Sequence, residues 1–205
     1  ACQVIFFPGD RQDPHAATYI ATPRPLDHTE RELVRVFASN INSGLINVSL
    51  TSQLDRIAYE DPLLRMPNAN ALIRAIDGVL DVPPPRQRSL LFLELDQYSA
   101  SCLTLGTEQG DLMLQRMAKR LRSKFPPPTM VARLYDDTFA ILGDGALLKQ
   151  ERIDELESQD PDDPEHPPFI RVRAALLDLD RHKGSARSAM AVGALLLRRR
   201  RSPMR

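Results

Sequence analysis

The stretch Arg133-Leu134-Tyr135-Asp136-Asp137-Thr138-Phe139 joins two apolar runs, Met130–Leu134 and Phe139–Leu142. The residues between them, Tyr135-Asp136-Asp137-Thr138, are too few for a crossover, so the runs pair as an antiparallel hairpin. Upstream lies Ser89-Leu90-Leu91-Phe92-Leu93-Glu94-Leu95-Asp96. It is apolar on both faces, as a central strand covered on both sides would be, and it ends in acid.

Around these strands the apolar period predicts helices. Asn68 to Leu80 carries Leu72, Ile73, Ile76 and Leu80 on one side, and residues 107–124 carry Leu112, Leu114, Met117, Ala118 and Leu121. A helix at about 146–157, an acidic proline-rich loop at 158–168, a strand at Phe169–Leu177 and a helix from about 185 to 200 complete the order. The reading is an α/β fold, with a central mixed or antiparallel sheet of four or five strands flanked by helices.

Before this region, Asp27 to about Glu60 reads as one long helix. Asp27 or Thr29 can cap it, and Asp61-Pro62 ends it. At 1.5 Å per residue it is roughly 50 Å long. Leu33, Phe37, Ile41, Leu45 and Val48 form a stripe suited either to packing on its own domain or to self-association with a second copy. Asn40, Asn42, Asn47 and Gly44 weaken a regular heptad. Residues 1–25 read as strand Val4–Phe7, a turn at Pro8-Gly9-Asp10, and a strand near Ala17–Ala21. They are too few for a domain and read as the edge of a preceding one or as a packing arm.

Composition excludes several classes. The 27 basic and 27 acidic residues balance, which gives no overall attraction to nucleic acid or an anionic membrane. No apolar run reaches the roughly 18–20 residues of a membrane span. The two cysteines, Cys2 and Cys102, match no metal or disulfide spacing, and the expected setting is a reducing cytoplasm. His15, His28, His166 and His182 are scattered in polar surroundings and predict no metal. Arg198-Arg199-Arg200-Arg201 reads as the solvated end of the last helix.

Together the motifs resemble the GGDEF family, the diguanylate cyclases, across roughly residues 59–201. Ala58-Tyr59-Glu60-Asp61-Pro62-Leu63-Leu64-Arg65-Met66-Pro67-Asn68 is similar to the family's lead-in D-x-L-T-x-L-P-N-R. Leu93-Glu94-Leu95-Asp96-Gln97-Tyr98 resembles the acidic strand end D-[ILV]-D-x-F, and Gly106 with Gly110-Asp111 resembles G-H-x-x-G-D. Arg133–Phe139 falls where R-x-G-G-[DE]-E-F belongs. The resemblance implies three parts: the end of an upstream sensory or receiver-associated module (1–25), a signalling helix (26–60) and a GGDEF domain (61–205).

The departures from the family pattern fall on the chemistry. Joining two GTP molecules needs divalent cations on hard oxygen ligands and backbone close to phosphate. By the resemblance, Glu94 stands at a metal-ligand position and keeps a carboxylate, one methylene longer. Thr138 stands at the other metal position and has no carboxylate. Tyr135 and Asp136 replace two glycines, adding bulk and negative charge where phosphate must approach, and Asp137 keeps its acid. Cys102 replaces the guanine-reading Asn, whereas Asp111 keeps its carboxylate and is expected to cap the following helix. Ser99 and Thr107 replace the usual Lys and His, and Arg199 is expected near the family's late Lys. Pro126-Pro127-Pro128-Thr129 occupies the place of the product-binding R-x-x-D.

The sequence therefore predicts a degenerate GGDEF domain, not an enzyme in itself, that relays signals or serves as a scaffold in a cyclic-di-GMP signalling protein. No cofactor is expected, and Mg2+ and GTP would bind weakly if at all. Expected partners are a second copy through the long helix and covalently linked upstream sensory and downstream EAL phosphodiesterase domains. Non-catalytic GTP binding is the alternative, and an active diguanylate cyclase the remote one.

Overall fold

The computed structural model describes residues 2–7, 16–81, 87–96, 98–157 and 171–199. The expected Pro8-Gly9-Asp10 turn, the loops at 83–85 and 158–168, the start of the strand at Phe169, and Arg200-Arg201 lie outside the described residues, as do His15 and His166. Two compact units are present, Ala1–Arg56 and Ile57–Arg205.

In the first unit, strands β1 (Cys2–Phe7) and β2 (Ala16–Ala21) form an antiparallel ribbon with Val4 opposite Tyr19 and Phe6 opposite Ala17. Helix α1 (His28–Tyr59) starts here and runs into the second unit. Its N-terminus carries a reciprocal cap: the Glu30 amide donates to Asp27 Oδ1 at 2.8 Å, and the Asp27 amide to Glu30 Oε2 at 2.9 Å. Arg24 also holds Glu30, at 2.6 Å. No residue of α1 is buried; Leu33, Phe37, Ile41, Leu45 and Val48 are all exposed.

The second unit begins as α1 gives way to a two-residue ladder, β3 (Glu60–Asp61) with β4 (Met66–Pro67). Asn68 then caps α2 (Ala69–Leu80), its Oδ1 accepting from the amides of Asn70 and Ala71 at 2.9 and 3.1 Å. The main sheet contains β5 (Arg88–Leu95), β6 (Met130–Tyr135), β7 (Thr138–Asp144) and β8 (Val172–Asp178) in the order β6-β7-β5-β8. Among the described residues every pairing is antiparallel, one of the two arrangements expected from the sequence.

Central β5 explains its run of apolar residues, because both faces are covered. Leu91, Leu93 and Leu95 pack with Leu114, Met117 and Leu121 of α4 (Thr107–Lys124) and with Ile153 and Leu156 of α5 (Gln150–Glu157). On the opposite face, Leu90 and Phe92 pack with Leu72 and Ile76 of α2 and with Ala186, Ala189 and Leu197 of α6 (Ala186–Arg199). Gly193 brings α6 down onto β5: a Cβ there would overlap the Phe92 ring.

Three details differ from expectation. The helix placed at about 146–157 begins only at Gln150, because Asp144 Oδ1 accepts from the Ala146 amide at 2.9 Å and holds a turn first. A further helix, α3 (Tyr98–Leu105), precedes α4. Asp111 lies inside α4 and is not its cap. That place belongs to Gly106, whose φ of 90° allows the chain to break between the two helices.

Candidate functional site

The β6–β7 turn, the end of β5, α3 and α6 enclose an open cleft of about 550 Å³. Sheet register brings its parts together. Glu94 is the direct partner of Thr138 on β7 and of Arg173 on β8. The Leu95 amide donates to the Asp137 carbonyl at 3.1 Å, and the Asp96 amide to the Arg171 carbonyl at 2.7 Å. The acidic strand end is thus fastened to the turn on one side and to β8 on the other.

Glu94, Tyr135, Asp136, Asp137, Thr138 and Cys102 all line the cleft. Asp111 is not among the lining residues. On α6 it is Arg198, rather than Arg199, that lines the cleft, with Ala194 and Leu197. Tyr98, Ser99 and Leu103 complete the wall from α3. Tyr98 was not singled out from the sequence, and neither was Arg173.

Glu94 and Thr138 are buried, at 4% and 2% exposure. Arg173 answers Glu94, its Nε standing 3.5 Å from Oε2, while its second arm reaches Asp96 Oδ1 at 3.2 Å. Thr138 donates its hydroxyl to Asp137 Oδ1 in a long contact of 3.4 Å. Burial raises the Asp137 carboxyl above its usual range, opposed by its hydrogen bonds, with the neighbouring Asp136 adding to the rise. Burial, reinforced by the hydrogen bond to Cys102, pushes Tyr98 up to about 12, so its phenol keeps its proton at neutral pH. Gly110 lets that pair pack closely, since a Cβ there would overlap Cys102 Sγ.

The turn itself is held by Arg133. Its Nε and one terminal nitrogen donate to the Asp136 carbonyl at 3.2 and 2.8 Å, and the other terminal nitrogen binds Asp61 Oδ2 at 3.0 Å. Asp61 Oδ1 in turn accepts from the Leu64 amide at 2.8 Å. Asp136 has φ 38°, a left-handed conformation that suits glycine and is tolerated by Asp. Tyr135 projects its ring half-exposed at the cleft edge. The lining therefore combines carboxylates, the Arg198 guanidinium, hydroxyls and aromatic faces. Those groups suit a polar ligand, and among the described lining residues no nucleophile–base pair stands.

Residues 58–167 match the family described as diguanylate cyclase, GGDEF domain, and residues 1–54 match a domain of unknown function, DUF3369. The signaling protein YkoW of Bacillus subtilis is 34% identical over 96 residues, 44% of this chain and 12% of that protein. The bifunctional diguanylate cyclase/cyclic di-GMP phosphodiesterase MucR of Pseudomonas aeruginosa is 29% identical over 92 residues, 44% of this chain and 13% of that protein. The chain thus spans a small part of the length of these relatives. Among solved structures, the coiled coil and GGDEF domain of DgcB from Caulobacter crescentus, in complex with c-di-GMP, superimposes with a TM-score of 0.64. That likeness, at 18% identity over 80% of this chain and 91% of that one, is a likeness of fold. With this sheet, these motifs in this order and a family match over more than half its length, the chain belongs to the diguanylate cyclase GGDEF-domain family.

Proposed function

We propose that this chain is a non-catalytic GGDEF domain that relays a signal within a larger bacterial cyclic-di-GMP signalling protein. The observation that carries the reading is the pairing of Glu94 with Thr138: both are buried, and the second offers a hydroxyl where the family pattern has a carboxylate. A divalent cation that must hold a triphosphate is left with one carboxylate fewer, and Arg173 already stands against Glu94. Tyr135 and Asp136 add bulk and charge at the turn where phosphate would pass.

Relay needs a connection, and Arg133 supplies one. It ties Asp61, just beyond α1, to the Asp136 carbonyl at the cleft. A shift at the end of α1 is felt at the turn through this strut. The exposed stripe Leu33, Phe37, Ile41, Leu45 and Val48 supports self-association through α1. MucR joins a diguanylate cyclase with a cyclic di-GMP phosphodiesterase in one protein, which supports linkage of this chain to a downstream EAL phosphodiesterase domain, with 1–25 and the signalling helix 26–60 leading from an upstream sensory module. Among the described residues no helix is long and apolar enough to cross a membrane. The cytoplasm is the location we propose, as the reducing setting expected from the sequence.

One observation favours a second reading, nucleotide binding without turnover: the cleft volume is in the range that small ligands occupy. Calorimetric titration of the chain with GTP and Mg2+, followed by assay for cyclic di-GMP, separates the readings. Relay without nucleotide predicts neither binding nor product, GTP sensing predicts micromolar binding alone, and product formation would overturn both.

A further inference from the structure

We propose that Arg173 is a built-in counter-cation, which neutralises the Glu94–Asp96 pair from within the sheet and closes this end of it to divalent ions. The inference deepens the relay reading and rests on it. An ionised carboxylate as deep as Glu94, 4% exposed, requires a countercharge. β8 provides it by register: Arg173 is the direct partner of Glu94, and directly paired residues on antiparallel strands share a face of the sheet. One guanidinium then serves two carboxylates, at 3.5 Å to Glu94 and 3.2 Å to Asp96.

Two further facts point the same way. The Nε of Arg173 is buried and makes no hydrogen bond, so it faces Glu94 by charge alone. Asp137 lies close enough for the charge of Arg173 to act on it as well. Two carboxylates, Glu94 and Asp96, therefore share one fixed cation, and Arg133 is committed elsewhere, to Asp61 and the Asp136 carbonyl. A guanidinium cannot lose its charge at any ordinary pH. Held by the β5–β8 ladder, it competes with dissolved cations as an intramolecular group does, at millimolar effective concentration or above. Take Arg173 away, and what is left is a pair of carboxylates, Glu94 and Asp96, with hard oxygens of the kind Mg2+ and Mn2+ take.

The test is Mn2+ binding to the full chain, read from loss of the free-ion signal in electron paramagnetic resonance. The unaltered chain is expected to bind no Mn2+ at this site in the sub-millimolar range. Arg173→Met, which keeps an unbranched apolar stem without the charge, is expected to gain one Mn2+ at least about tenfold more tightly. Adding Glu94→Gln to Arg173→Met should abolish that gain. If Arg173→Met does not fold in metal-free buffer, millimolar Mg2+ should restore its far-ultraviolet circular dichroism. Folded Arg173→Met that gains no Mn2+, unfolded Arg173→Met that Mg2+ does not rescue, or an unaltered chain that binds Mn2+ through Glu94 would each overturn the proposal. An unaltered chain that binds Mn2+ but no GTP removes the counter-cation and leaves the relay reading standing. GTP binding by the unaltered chain with no Mn2+ bound removes the relay reading alone.

Discussion

Arg133 and Asp61 form an ion pair at 3.0 Å whose side chains are only 14% and 15% exposed, and the same guanidinium grips the carbonyl of Asp136. Pairs this shielded lie between exposed ion pairs, which contribute little, and buried ones, which are costly to break. Arg133→Ala is expected to destabilise the second unit by about 2 kcal/mol. A double-mutant cycle with Asp61→Ala, read by urea unfolding, should give a coupling of about 1 kcal/mol or more. Simple additivity of the two changes would show that the strut carries no energy.

Asp136 tests the turn geometry. Its φ of 38° is left-handed, so a β-branched side chain there should be strained. Asp136→Val is expected to cost about 1–2 kcal/mol, whereas Asp136→Gly should stay within about 0.5 kcal/mol of the unaltered chain. Equal effects from the two would mean the turn adopts another conformation in solution.

Much of this architecture is legible in the sequence, and the exceptions have physical reasons. α2, β5, α4 and the β6–β7 hairpin stand where apolar period and turn length place them, because each is specified by residues close in the chain. α3 was missed because Tyr98–Leu105 has small and apolar residues on all sides and no helical period. The two-residue β3–β4 ladder is too short to show any period. The role of Arg173 could not be read at all. It faces Glu94 only because β8 joins the sheet beside β5, a neighbour relation that no local pattern encodes. Asp111 was expected as a helix cap from its place after Gly110, but the chain breaks one turn earlier, at Gly106.

Gly193 should be intolerant of any side chain. Gly193→Ala drives a methyl into Phe92, which sits fully buried beneath α6, and is expected to cost about 1–3 kcal/mol. Adding Phe92→Leu should recover part of that loss in thermal unfolding, since a smaller side chain makes room. No recovery would mean that α6 is held at another point.

Asp137 makes a pH prediction. Burial raises its folded-state carboxyl above the usual range, so the folded chain holds this proton more tightly than the unfolded one. The stability it contributes is full below the ordinary Asp range and is lost as pH rises through the raised folded value. Asp137→Asn should therefore stabilise the domain at neutral pH relative to the unaltered chain, with the gain shrinking as the solution is made acid. Urea midpoints measured at neutral and acid pH check the sign, and a gain that grows in acid would contradict it.

The helix offers a separate expectation. Ile41 lies in the exposed stripe of α1, so Ile41→Asp should weaken self-association without unfolding the second unit. Sedimentation velocity over a range of concentrations reads this directly. An unaltered chain that stays monomeric throughout would remove the helix as the contact.

The central claim is that a cleft with Thr138 opposite Glu94, and Arg173 set against the same carboxylate, no longer handles GTP. Titration calorimetry of the full chain with GTP in the presence of Mg2+, with the mixture then assayed for cyclic di-GMP, tests it most directly. The account predicts no micromolar binding and no product; micromolar binding of GTP, with or without formation of cyclic di-GMP, would contradict it.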